Sequence, residues 1–102
     1  MNFAADLELA AAGLRVAAAI LRAHAGRAGG VPYELKDGSS PVTAADREVD
    51  AALRALLPRG DDGWLSEESD DDPRRLGCRR VWIVDPLDGT RSFVAGRPEY
   101  AT

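Results

Sequence analysis

The feature that most constrains this chain is the way one apolar run ends. Val81-Trp82-Ile83-Val84 stops at Asp85, and Pro86-Leu87-Asp88-Gly89-Thr90 follow at once. Four consecutive apolar residues bounded by turn formers read as a short buried strand. Proline cannot donate to a ladder, and Asp and Gly favour turns. A turn explains Pro86 and Gly89 but not two carboxylates three positions apart at a strand's end. A second run, Gly63-Trp64-Leu65-Ser66, also reads as a buried strand and ends at Glu67. If both strands lie in one sheet, Glu67 and Asp85 emerge at one edge. Carboxylates at close quarters repel, and a divalent cation relieves the repulsion. Mg²⁺ takes oxygen ligands in octahedral geometry and keeps several waters.

Upstream, the periodicity is helical. Residues 3 to about 25 are rich in Ala and Leu, with Phe3, Leu7, Leu14 and Leu21 on one face and alanines beside them. Gly26, Gly29 and Gly30 end that helix. Tyr33-Glu34-Leu35-Lys36 reads as a short strand, with a turn at Asp37-Gly38. Thr43 is a helix N-cap, and Asp46 completes a capping box with Asp in the place of Glu. Val49, Leu53, Leu56 and Leu57 form the apolar stripe of this second helix, Asp50 and Arg54 are spaced to pair, and Pro58 and Gly60 stop it. After Thr90 a short helix is expected to about Ala95, and Glu99-Tyr100-Ala101-Thr102 reads as the start of another strand. Two helices followed by strands make the fold class α+β.

Bulk properties narrow the function. At 102 residues the chain is one small domain. A net charge of −4 argues against a nucleic-acid polymer as partner. It does not argue against a phosphorylated small molecule held through a cation. No apolar run nears the roughly 20 residues that span a bilayer. The single cysteine, Cys78, lacks an activating neighbour and suits a reducing cytoplasm, where the protein is expected. His24 reads as a surface residue. The acids Asp70, Asp71 and Asp72, followed by Pro73-Arg74-Arg75, read as a solvated loop.

Spacing excludes several phosphate and metal motifs. Counted from Asp85 as an EF-hand, position 3 is Leu87 and position 12 is Gly96. An aspartyl-phosphate enzyme of the haloacid-dehalogenase type needs Asp two before Asp88, where Pro86 stands. A P-loop needs Gly-Lys-Ser/Thr, absent here. What DPLDGT resembles, with Trp82-Ile83-Val84 before it and Phe93 after it, is the signature of the inositol monophosphatase superfamily. Three further segments resemble that superfamily in the same order: KDGSSPVTAAD from Lys36 to Asp46, LSEES from Leu65 to Ser69, and RPEY from Arg97 to Tyr100. The resemblance covers roughly residues 5 to 102.

The resemblance implies a Mg²⁺-dependent, lithium-sensitive phosphomonoesterase in which water, activated by two or three Mg²⁺ ions, attacks the phosphate. It implies that Glu67, Asp85, the Leu87 carbonyl and Asp88 ligate metal. Asp46 and Thr90 would orient the water beside Glu67. Gly89 and Thr90, with Glu67 and Asp88, would meet the phosphate. A helix-cap role alone also explains Asp46. Lys36 would lie on a loop near the metals. The implied fold is the N-terminal part of the layered α-β-α-β-α arrangement, and residues 1–102 would be its metal- and phosphate-binding portion. Superfamily members are longer and carry a later Trp-Asp motif, so the expectation is a truncated chain with weak Mg²⁺ binding and little turnover by itself. A non-catalytic fragment or interaction domain is the alternative of another class. The wording of Ser40–Asp46, Ser66–Ser69 and Arg91–Tyr100 is most similar to CysQ-type 3′(2′),5′-bisphosphate nucleotidases. Those usually carry an acid where Ser92 stands. Inositol monophosphatases usually have Asn there, and histidinol phosphatases often have Ser-Phe, so both remain alternatives. A homodimer is among the assemblies the resemblance allows.

Overall fold

In the computed structural model, residues 3–25, 33–36 and 40–102 are described. The elements run α1 (Phe3–His24), β1 (Glu34–Lys36), β2 (Ser40–Val42), α2 (Ala44–Leu56), β3 (Gly63–Ser66), a 3₁₀ turn (Pro73–Gly77), β4 (Val81–Val84) and α3 (Thr90–Val94). The glycines after α1 and the Asp37-Gly38 turn lie outside the described residues.

The alanine-rich first helix forms as its periodicity requires, but the inward face is shifted, and of the expected stripe it keeps only Leu21. Gly13, Ala17 and Leu21 are buried, while Phe3, Leu7 and Leu14 are exposed. The reason is how closely α1 meets α2. A Cβ added at Gly13 would lie 3.2 Å from a methyl of Leu53 and 3.2 Å from one of Leu57. A bulky stripe cannot fit at that distance, so the small-residue face is the one that packs. At the far side Asp6 of α1 accepts from Arg59 at 2.9 Å and from Arg80, tying the helix to the ends of α2 and β4.

Helix α2 lies at the centre of the core. Ala45, Val49 and Leu53, with Leu57 just beyond its end, join Ala17 and Leu21 of α1, Trp64 of β3, Leu87 and Phe93. Each large apolar side chain so buried stabilises the fold by roughly 1.5–3 kcal/mol. The capping box forms as expected. The Thr43 amide donates to Asp46 Oδ2 at 2.8 Å, and the Asp46 amide donates back to Thr43 Oγ1 at 3.3 Å. The expected Asp50–Arg54 pair is replaced by two other contacts. Arg54 lies over the Trp64 ring, 5.8 Å from its centroid, and Asp50 turns inward to Ser66 and Ser69.

β1 pairs antiparallel with β2, Lys36 opposite Ser40. β3 pairs parallel with β4, Ser66 opposite Val84. β3 is buried as expected. β4 is only half so: Trp82 and Val84 pack on the core, whereas Ile83 is 76% exposed. Side chains alternate between faces along a strand, and among the described residues the helices cover only the Trp82 face. The segment expected to open another strand contributes a single antiparallel bridge, Ala101 to Asp88.

Candidate functional site

Parallel pairing decides the geometry at the strand ends. Because Ser66 is level with Val84, the next residues along the two chains are Glu67 and Asp85. Neighbouring strands lie about 4.8 Å apart, so two carboxylates leave adjacent strands at the same edge. Glu67 is exposed and Asp85 half-buried. A parallel pair needs a crossover, and residues 67–80 supply it. There Asp72 caps the 3₁₀ turn and pairs with Arg74 at 2.7 Å, while Asp71 pairs with Arg75 at 2.7 Å. Arg74 holds the Asp72 carboxyl down to about 2, and Arg75 lowers that of Asp71. Asp71 and Asp72, expected in a solvated loop, are thus each paired with an arginine of the turn that follows.

Past Asp85 the chain turns sharply. Pro86 and Leu87 are buried, which fixes the turn from beneath. Asp88 is exposed, and its backbone is held by an exchange with Ala101, amide to carbonyl at 2.7 Å and 3.0 Å. Gly89 caps α3 with φ +83°, a conformation that glycine adopts without strain. A Cβ there would also lie 2.5 Å from the Glu99 carbonyl oxygen. Gly89 thus admits the chain of Glu99 and Tyr100, whose ring meets buried Phe93 edge-on at 4.9 Å.

Thr90 Oγ1 lies 3.2 Å from Asp46 Oδ1 and 3.1 Å from the Leu87 carbonyl oxygen. Asp46 is 1% exposed. Its Oδ2 takes the Thr43 amide at 2.8 Å and the Thr43 hydroxyl at 2.6 Å, leaving Oδ1 for Thr90. One carboxylate is both helix cap and partner of the threonine; the two readings of Asp46 are not alternatives. The structure therefore brings together Asp46, Thr90 and the Leu87 carbonyl, and sets Glu67 beside Asp85 at one sheet edge.

The oxygen donors at this edge are of the kind Mg²⁺ takes. Among the described residues, no three His, Cys, Asp or Glu side chains gather closely enough to hold a metal ion by themselves. His24 is engaged with Glu48, Nε2 to Oε2 at 2.8 Å, and the Cys78 thiol faces the Arg74 carbonyl at 3.4 Å. Lys36 lies in β1. Asp50, one helical turn beyond Asp46, takes the hydroxyls of both serines that flank Glu67-Glu68.

The family model described as inositol monophosphatase family matches residues 4–102. The chain belongs to the inositol monophosphatase family. A solved inositol monophosphatase from Zymomonas mobilis, described as having a flexible region at its active site, superposes with a TM-score of 0.69 at 37% identity, over 98% of this chain and 37% of that one. The fold is accordingly the N-terminal part of the inositol monophosphatase fold. Among curated relatives, a histidinol-phosphatase of Chlorobaculum parvum is 46% identical over 64% of this chain and 25% of its own length. A 3′-phosphoadenosine 5′-phosphate phosphatase of Mycobacterium bovis is 49% identical over 57% of this chain and 23% of its own. An inositol-1-monophosphatase of Rhizobium meliloti is 41% identical over 66% and 26%. The chain thus spans about a quarter of the length of the curated relatives it matches.

Proposed function

We propose that this chain supplies the metal-binding and water-orienting half of a Mg²⁺-dependent phosphomonoester hydrolase. The observation that carries the reading is the in-register emergence of Glu67 and Asp85 from parallel strands; the Thr90–Asp46 hydrogen bond, in the segment that follows Asp85, supports it. Glu67, Asp85, the Leu87 carbonyl and Asp88 would hold two or three Mg²⁺ ions. When bound, the metal lowers the pKa of water and stabilises the leaving oxygen of an in-line displacement.

The chain's own residues would do the rest. Asp46, fixed by the α2 cap, accepts a hydrogen bond from the Thr90 hydroxyl and so turns the Thr90 oxygen lone pairs outward, toward the attacking water. Glu67 accepts a proton of that water on the other side. Gly89 and Thr90 open α3, whose first amides have no helical acceptor and suit an anionic phosphate. Pro86 and buried Leu87 fix the carbonyl that shares Thr90 with Asp46.

For the substrate we infer a 3′(2′),5′-bisphosphate nucleotide. This rests on the wording of the Ser66–Ser69 and Arg91–Tyr100 segments and on the likeness to a 3′-phosphoadenosine 5′-phosphate phosphatase. Histidinol phosphate is the second reading, favoured by Ser92-Phe93 and by the likeness to a histidinol-phosphatase. The test is Mg²⁺-dependent phosphate release by the natural full-length protein from adenosine 3′,5′-bisphosphate, histidinol phosphate and inositol phosphate. The bisphosphate is expected to give the largest kcat/KM. Asp88→Asn is expected to abolish release from all three while leaving the fold intact. Wild-type turnover in that variant would sink the metal reading.

A further inference from the structure

Asp50 is an acidic side chain in the core of a small protein, and the reading above gives it no task. It is 7% exposed, as is Ser66. Buried carboxylates persist when hydrogen bonds satisfy them, and here each oxygen takes one hydroxyl. Ser66 Oγ donates to Asp50 Oδ1, and Ser69 Oγ donates to Asp50 Oδ2. Each serine oxygen is in turn an acceptor. The Glu68 amide donates to Ser66 Oγ at 3.3 Å, and Trp64 Nε1 donates to Ser69 Oγ at 3.1 Å. Two short relays therefore converge on one carboxylate, and they grip the chain on both sides of Glu67.

We propose that Asp50 is the positioning residue for Glu67, fixing the Ser66–Ser69 turn so that the Glu67 carboxylate stays level with Asp85. The proposal rests on the reading of Glu67 as a metal ligand. It goes further by making α2 a ruler for the site. Asp46 and Asp50 are four residues apart, hence on one helix face, and about 6 Å apart along the axis. That is close to the roughly 4.8 Å between strands. The first carboxylate holds Thr90 after β4, and the second holds the turn after β3. One rigid helix thereby sets the relative position of two loops that are separate in sequence.

Asparagine keeps one acceptor oxygen and puts an NH₂ where the other stood, so one serine hydroxyl loses its acceptor. Alanine removes both. The experiment compares the wild-type chain with Asp50→Asn, Asp50→Ala and Ser69→Ala, using amide hydrogen exchange and Mn²⁺ titration. Exchange at Glu67, Glu68 and Ser69 is expected to quicken at least about tenfold in Asp50→Asn, with the amides of α1 and the first half of α2 unchanged. The Mn²⁺ dissociation constant is expected to rise about 10- to 100-fold, the usual effect of losing a partner that orients a ligand. Should Asp50→Ala fail to fold, Ser69→Ala releases one relay by deleting a single hydroxyl and gives the same two readouts. Unchanged exchange across the turn, or faster exchange spread evenly over α2 and β3, overturns the positioning role. If the wild-type chain binds no Mn²⁺, the metal reading fails, while the exchange comparison still decides what Asp50 does.

Discussion

Replacing Asp46 tests whether the α2 cap and the Thr90 contact really share one carboxylate. In Asp46→Ala, the Thr43 amide and hydroxyl lose their acceptor, and Thr43 is 1% exposed. Loss of a cap costs about 0.5–2 kcal/mol, and a buried donor left without a partner about 1–3 kcal/mol. Part of the two is the same event, so the expected loss is about 2–4 kcal/mol. For a domain of this size that lowers Tm by on the order of 10–25 °C. Asp46→Asn is different. Its oxygen can still accept from Thr43, and its NH₂ can donate to Thr90 Oγ1, which then donates to the Leu87 carbonyl 3.1 Å away. Every hydrogen bond survives, so the loss is expected to stay near about 1 kcal/mol. The polarity at Thr90 is nevertheless reversed, because its oxygen now accepts from residue 46 and one outward lone pair is gone. Urea unfolding followed by tryptophan fluorescence measures the first effect, and phosphate release by the natural full-length protein measures the second. Equal destabilisation by Asn and Ala would refute the hydrogen-bond reasoning. An Asn variant with wild-type turnover would refute the role assigned to Thr90.

Two further outcomes are expected. Gly96→Ala, at φ +78° with nothing within 4 Å of the added methyl, should cost about 1–2 kcal/mol of left-handed strain. Gly89→Ala, at φ +83° and 2.5 Å from the Glu99 carbonyl, should cost about 1–3 kcal/mol more, because the Asp88–Ala101 exchange must give way; equal losses in chemical denaturation would contradict the close approach. Asp72 has its carboxyl lowered from 3.8 to about 2 by Arg74. A depressed acid adds its stabilisation above the unfolded value and loses it as pH falls through the folded one. The Asp72–Arg74 contact should therefore persist at pH 3.8 and disappear near pH 2, as read from the Asp72 carboxyl ¹³C shift; a midpoint at 3.8 would exclude the pairing.

The parts of the structure governed by local chemistry were legible in the sequence. The capping box at Thr43 and Asp46, the strand ending at Asp85 and the turn through Gly89 are written in neighbouring residues. That Asp46 and Thr90 act together is what the family resemblance implied, and the hydrogen bond between them agrees with it. Contacts set by approach distance were not legible. Periodicity weighed leucines on α1 and favoured the face of Phe3 and Leu7, whereas Gly13 and Ala17 pack because α2 comes so near. The apolar run of β4 gave no sign that Ile83 would face outward, since exposure depends on which side the helices occupy. Spacing along one helix pairs Asp50 with Arg54, because it says nothing of serines arriving from a strand end.

The parallel register of β3 and β4 has a consequence for how such a chain can change in length. A residue gained between Asp70 and Arg80 lengthens a crossover already made of loop and a single 3₁₀ turn, and lengthening a loop costs little. A residue lost from either strand is another matter. It shifts one carboxylate a full step against the other and turns the remaining side chains to the opposite face. The distance from Glu67 to Asp85 counted along the chain is therefore free to drift, while their separation in space is held by the ladder. Insertions have a place to accumulate between them without reaching the chemistry.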